Sequence, residues 1–215
     1  MAMTSDDIWR AVSAERVTLV ELLESLSEQD WDRDSLCAEW RIRDVVAHVV
    51  LSSNPTLGSL LINLIRARGS ITRFARDTGI RHAESRSSRQ LLQELRATIG
   101  LRTTAPGTTP ADRLMDVLVH IQDIAIPLGV RIEMPTAAAR LAMERVWSTK
   151  WLFHSEQRLA GFHLTATDTD WSAGAGTLVE APIADLLLLA SGRTARLDAL
   201  TGPGAAALIR KVGVS

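Results

Sequence analysis

The chain carries a single cysteine, Cys37, so an intramolecular disulfide is ruled out and the sequence is not that of a domain stapled for an oxidising compartment. Lysine is nearly missing as well. It occurs only at Lys150 and Lys211, and every other basic residue is arginine. Neither charge sign dominates, with 24 basic against 25 acidic side chains and a formal net charge of -1, so nucleic acid is not an expected partner. Asp6 and Asp7 follow the start with no basic stretch or apolar segment behind them, which reads against a signal peptide. The longest apolar run, residues 183–190, falls far short of the roughly 20 residues a membrane-spanning helix needs. The expectation from these absences is a cytoplasmic protein without a membrane or nucleic-acid partner. There is no internal repeat, no low-complexity tract, no serine–histidine or cysteine–histidine nucleophile set and no phosphate loop. The Gly-Ala-Gly at residues 174–176 lacks the strand-to-helix setting of a dinucleotide site.

What remains is an ordinary globular composition. The 215 residues are 46% hydrophobic and 23% charged, enough for one generous domain or a medium domain plus a small one. Residues 4–7 offer capping oxygens ahead of Ile8, and apolar residues then recur at helical spacing from Ile8 to Leu26, predicting a long helix over 6–27. A polar turn over 27–35 leads to a second helix over 41–53, whose stripe is Ile42, Val45, Val46, Val49 and Val50; its valines keep strand as the fallback. Asn54-Pro55 breaks it. Short helices are read over 57–66 and 70–77, and Ser87 and Ser88 cap another that runs through Leu91, Leu95 and Ile99. Pro110 opens a helix over 111–126 that Pro127 and Gly129 stop, and residues 136–151 form one more. Beyond residue 160 the period changes. Phe162, Leu164 and Ala166 alternate with polar residues, 174–176 is a turn, and 177–181 is a partner strand. Pro182 begins an apolar helix closed by Gly192, and a last short helix follows residues 202–204.

Three of the five histidines carry no evident chemistry. His82 is placed in a polar loop, His163 on the outer face of a strand, and His154 at a helix end. His48 and His120 differ. Asp116 and His120 lie four apart on one predicted helix, so at roughly 100° per residue they project about 40° apart, beside the stripe of Leu114, Val117, Leu118 and Ile121. His48 stands in the same relation to the valine stripe of its own helix. If those stripes pack together, two imidazoles and a carboxylate meet along a common edge, a three-donor set that leaves a position open as catalytic zinc sites do. The competing reading of Asp116 and His120 is a surface ion pair one helical turn apart. Asp123, one turn past His120, is read as solvated helix surface, with support of a metal ligand as the alternative. Cys37 is read as a buried structural cysteine, and Trp40 and Trp171 as packing.

Residues 37–50, C-A-E-W-R-I-R-D-V-V-A-H-V-V, resemble the segment that carries the first histidine in the DinB/YfiT-like superfamily, in its mycothiol-dependent maleylpyruvate isomerase branch. Residues 112–129, D-R-L-M-D-V-L-V-H-I-Q-D-I-A-I-P-L-G, resemble that branch's second metal segment, and residues 167–193, with D-T-D-W and a closing G-R, resemble its C-terminal unit. Residues 55–105 carry no matching motif. The resemblance implies a mainly α fold, a DinB-like four-helix bundle (residues 1–155) followed by a small α+β unit (156–215). It implies a divalent metal, zinc by expectation, on His48, Asp116 and His120, and mycothiol as cosubstrate. Thiolate, not thiol, is the nucleophile, and its addition to an electrophilic carbon followed by loss of the thiol gives an isomer, whereas retention gives a conjugate. Arg193 resembles an arginine at the end of the tail helix that would hold a carboxylate or the polar groups of the thiol; a C-terminal helix residue that favours the dipole is its equal alternative. The chain departs from the pattern at Asp116, where the isomerase carries glutamate, so maleylpyruvate itself is not the expected substrate. The implied activity is a metal- and mycothiol-dependent transferase or isomerase on a small electrophile, as a monomer or homodimer. The alternatives are a non-catalytic small-molecule or regulatory binding protein on the same bundle, and a metal-dependent hydrolase.

Overall fold

Helix α1 spans Ser5–Glu24 and begins in a capping box. Asp7 N–H donates to Thr4 Oγ1 at 3.2 Å, and Thr4 N–H donates to Asp7 Oδ2 at 2.9 Å. The remaining helices of the first part are α2 (Ile42–Ser53), α3 (Ile71–Glu84), α4 (Ser88–Thr98) and α5 (Pro110–Ala125). The structure, a computed structural model, describes residues 3–54, 71–104, 107–149 and 153–213. The helix expected over 57–66 lies outside the described residues. The chain divides into two units, Met1–Ile132 and Glu133–Ser215.

In the first unit α1 packs on α4 and α5, and α2 packs on the same two helices, which closes a ring of four; α3 lies against α2. The stripes read from the sequence face inward. Leu19, Leu23, Ile42, Val45, Val46, Val49, Leu91, Leu95, Val117, Ile121 and Ile124 form the core. The choice of helix over strand for α2 follows from that packing, because a helix presents all four of its core valines to one side. Between α1 and α2 a hairpin-like loop is pinned by an Asp34–Arg41 bridge and by Ser35 N–H donating to Trp40 O at 3.0 Å. Glu39 takes a positive φ of 64° at its tip.

The second unit holds α6 (Thr136–Ser148), a short α7 (Ser155–Arg158), three strands β1 (Gly161–Ala166), β2 (Ser172–Gly174) and β3 (Gly176–Ala181), and helices α8 (Ile183–Ala190) and α9 (Ala205–Val212). The sheet order is β2-β1-β3, with β2 antiparallel and β3 parallel to β1. The simple turn expected at 174–176 is instead a passage under the start of β1. A Cβ on Gly174 would sit 2.4 Å from Phe162 O, and one on Gly176 would sit 2.0 Å from Gly161 O, so both positions require glycine. The second unit begins at Glu133, and in it α6 buries Ala138, Ala139, Ala142, Met143 and Val146 and packs on α8. No helix among the described residues is long and apolar enough to cross a membrane.

Candidate metal centre

The apolar stripes of α2 and α5 meet in the core, and the residues at their edges meet with them. His48 Nε2 lies 3.4 Å from Asp116 Oδ1, and His120 Nε2 lies 3.5 Å from the same oxygen. The two imidazole rings are 5.0 Å apart and nearly perpendicular. The three side chains are neither exposed nor sealed, at 20%, 18% and 11% of full exposure for His48, Asp116 and His120.

These separations test whether the residues fit a metal. A charge-assisted hydrogen bond between imidazolium and carboxylate runs to about 2.7–2.9 Å. Donors that share one tetrahedral ion at about 2.0–2.1 Å stand roughly 3.4 Å apart. The observed 3.4 and 3.5 Å match the second figure, and two nitrogens with one carboxylate oxygen form a borderline donor set suited to zinc. His48, Asp116 and His120 could therefore hold one divalent ion with a position left open.

Each of two donors is held from behind. Ser52, the residue before the last of α2, donates Oγ–H to Asp116 Oδ2 at 2.8 Å, while Arg113 Nη1 donates to Ser52 O at 2.6 Å and stands 3.9 Å from Asp116 Oδ2. On the far edge of His120, Nδ1 lies 2.8 Å from Asp123 Oδ2. Trp40 covers the pair of imidazoles, its ring 5.2 Å from His48 and 6.2 Å from His120. Burial opposes ionisation of Asp116, but the facing His120 and His48 outweigh it and hold its carboxyl well below the usual range. Burial likewise opposes a proton on His120, and Asp116, Asp123 and Cys37 outweigh it, so its pKa stands well above the ordinary value. Beside them Arg16 is buried, donating to Thr98 O at 2.6 Å and to Ser53 Oγ at 3.0 Å. Burial, and then the neighbouring Arg113, pull its pKa down to about 10.

Several expectations are corrected. Asp123 is fully buried rather than solvated, because the loop over residues 33–41 closes on it: Leu36 N–H donates to Asp123 O at 3.0 Å and Arg33 Nη2 donates to Pro127 O at 2.9 Å. Cys37 is half-buried and polar in role, donating Sγ–H to Asp123 Oδ2 at 3.0 Å. His82 is on α3, not in a loop, and pairs with Glu94 at 2.6 Å. His163 Nδ1 lies 3.1 Å from Gly174 O, and His154 precedes α7 with a positive φ of 49°. Trp171 packs edge-on against Trp147 at 5.9 Å, as a packing role requires. Arg193 lies in the second unit, past the end of α8, where Nη1 donates to Ser191 O at 2.8 Å. Ser52 and Arg113 went unread in the sequence; their only signal is a place one helical turn from His48 and three residues before Asp116.

Comparison with curated proteins gave no match. Among solved structures, the chain is similar to a mycothiol-dependent maleylpyruvate isomerase, with a TM-score of 0.66, 15% identity and 94% of each chain covered. A histidine-to-alanine variant of a mycothiol-dependent maleylpyruvate isomerase gives a TM-score of 0.67 at 14% identity, again over 94% of each chain. At such identities the likeness speaks for the fold. The model of the mycothiol maleylpyruvate isomerase N-terminal domain matches residues 12–125, a span that carries His48, Asp116, His120 and Asp123. That match covers more than half of the chain, which belongs to the mycothiol maleylpyruvate isomerase N-terminal domain family.

Proposed function

We propose that the chain is a metal-dependent enzyme that uses mycothiol as cosubstrate to isomerise or conjugate a small electrophile. The observation that carries this reading is the convergence of His48 Nε2 and His120 Nε2 on one oxygen of Asp116 at separations suited to a shared ion, in a chain of this family. His48, Asp116 and His120 would hold the ion, zinc by the chemistry of the donor set. Bound there, a divalent cation lowers the pKa of a thiol and so supplies the thiolate that neutral solution supplies poorly.

The rest is work for the protein. Trp40 packs against both imidazoles and keeps bulk water from that side of the cluster. Ser52, with its hydroxyl on Asp116 Oδ2, leaves Oδ1 turned toward the two histidines. Arg193, in the second unit, offers a guanidinium suited to a carboxylate. Aspartate in place of glutamate draws the acidic donor back by one methylene, so the open position differs from that of the isomerase and a substrate other than maleylpyruvate is expected.

The test is turnover of a panel of small electrophiles with mycothiol, with another low-molecular-weight thiol, and with water alone. Mycothiol-dependent product formation that is lost in His120→Ala is the expected result. Product formation indifferent to any thiol would assign a hydrolase instead, and no turnover by metal-loaded protein across the panel would favour a binding protein.

A further inference from the structure

The contacts around His120 fall into two length classes. On the Nε2 edge the neighbour is Asp116 Oδ1 at 3.5 Å, too long for a strong charge-assisted hydrogen bond. On the Nδ1 edge the neighbour is Asp123 Oδ2 at 2.8 Å, a hydrogen-bond length. Cys37 donates its thiol proton to that same Asp123 oxygen at 3.0 Å, and its sulfur lies 3.8 Å from His120 Nδ1. Cys37, His120 and Asp123 also group as donors, but 2.8 and 3.0 Å are shorter than the roughly 3.4 Å of ligands around one ion. The second group is therefore a hydrogen-bonded relay and not a second metal site.

A buried carboxylate is costly unless hydrogen-bonded, and Asp123 is 0% exposed, so its donors are integral to the fold. The donors come from two directions. His120 precedes it by three residues on α5. Cys37 arrives on the loop that Leu36 N–H ties to the backbone carbonyl of Asp123 itself, and its own N–H donates to Ser35 Oγ at 3.1 Å. An acceptor fixed at Nδ1 requires the proton at Nδ1 and leaves the Nε2 lone pair facing His48 and Asp116.

We propose that Asp123 is a positioning residue that holds the His120 proton on Nδ1 and so presents Nε2 to the metal cluster, with Cys37 fixing the Asp123 carboxylate through its thiol. The inference rests on the metal reading of His48, Asp116 and His120, and it assigns the only cysteine of the chain a part in that site.

The experiment uses the full chain labelled with ¹⁵N at histidine, and zinc as the probe. In zinc-loaded protein the ¹⁵N–¹H spectrum should show His120 bound through Nε2, with a slowly exchanging proton on Nδ1. Competition against a chromophoric chelator should show zinc affinity lower by about 10–100-fold in Asp123→Leu, with Asp123→Asn, which keeps an acceptor in place, recovering most of the loss. Cys37→Ser, which keeps a donor, should bind as wild type does, and Cys37→Ala should bind more weakly. The serine and asparagine rescues separate positioning from mere loss of structure, and the Cys37 pair decides the matter should Asp123→Leu fail to fold. His120 bound through Nδ1 in the wild type, or Asp123→Leu with wild-type affinity, overturns the proposal. If the wild type takes up no zinc, the metal reading fails by itself. The metal-free spectrum above the histidine titration range then still decides the tautomer, Nδ1–H supporting the proposal and Nε2–H overturning it.

Discussion

At the residue scale, the three candidate donors were legible, whereas of their supports only Asp123 was read, and then as the alternative to solvated surface. Asp116 and His120 stand out because a spacing of four on a helix puts two side chains on one face, and His48 because it sits beside a valine stripe in the same way. Local spacing fixes direction along one helix, but burial depends on what packs over it. Asp123 lies on the same helix as His120, and only the loop over residues 33–41, docked through Leu36 and Arg33, makes it a buried carboxylate. Ser52 is a similar case, a residue whose role depends on Asp116 arriving from another helix. The account predicts that Ser52→Ala, which removes the donor to Asp116 Oδ2, weakens zinc binding roughly tenfold without unfolding the bundle. Chelator competition alongside a thermal melt measures both; an unchanged affinity would show that Asp116 needs no such support.

At the element scale, helices with strong caps and stripes were placed to within a few residues, and so were strands β1 and β3, but β2 was not. Residues 6–27 were expected and Ser5–Glu24 is found; residues 111–126 were expected and Pro110–Ala125 is found. Both starts use a Thr-x-x-Asp box, in which one carboxylate receives the cap backbone N–H. Thr4→Ala should therefore cost about 1 kcal/mol of stability, read from a denaturant melt. The box also sets a pH dependence. Hydrogen bonds from Thr4, and then from Arg10, hold the Asp7 pKa at about 2, below the ordinary carboxylate range. A depressed carboxyl stabilises the fold above the unfolded value and loses that contribution as pH falls from there through about 2. The acid limb of the wild-type melt should thus flatten in Asp7→Asn, and an identical limb in both would remove the box from the account. Strand β2 was missed because Ser172–Gly174 is short and its pairing with β1 is non-local. The parallel β1–β3 pair depends on Gly176 at φ 128°, a conformation open to glycine almost alone. Gly176→Ala should destabilise the second unit by roughly 1–3 kcal/mol or more from backbone strain, visible as a lowered melting temperature.

At the scale of the whole molecule, a helical part followed by a small α+β part was readable from the change of hydrophobic period near residue 160. In the sequence Thr136–Ser148 looks like one more helix of a helical series. Only its packing on Ile183–Ala190 assigns it to the second unit, and that contact joins residues some forty apart. The family is that of the mycothiol maleylpyruvate isomerase N-terminal domain, and its match spans the part of the chain that holds the three donors. The central claim is that this cluster holds an ion, and elemental analysis of protein purified without chelator or affinity metal tests it most directly. The account predicts about one divalent ion per chain, lost in both His48→Ala and Asp116→Ala. Protein that takes up no metal even after loading, or variants that keep the wild-type content, would contradict it.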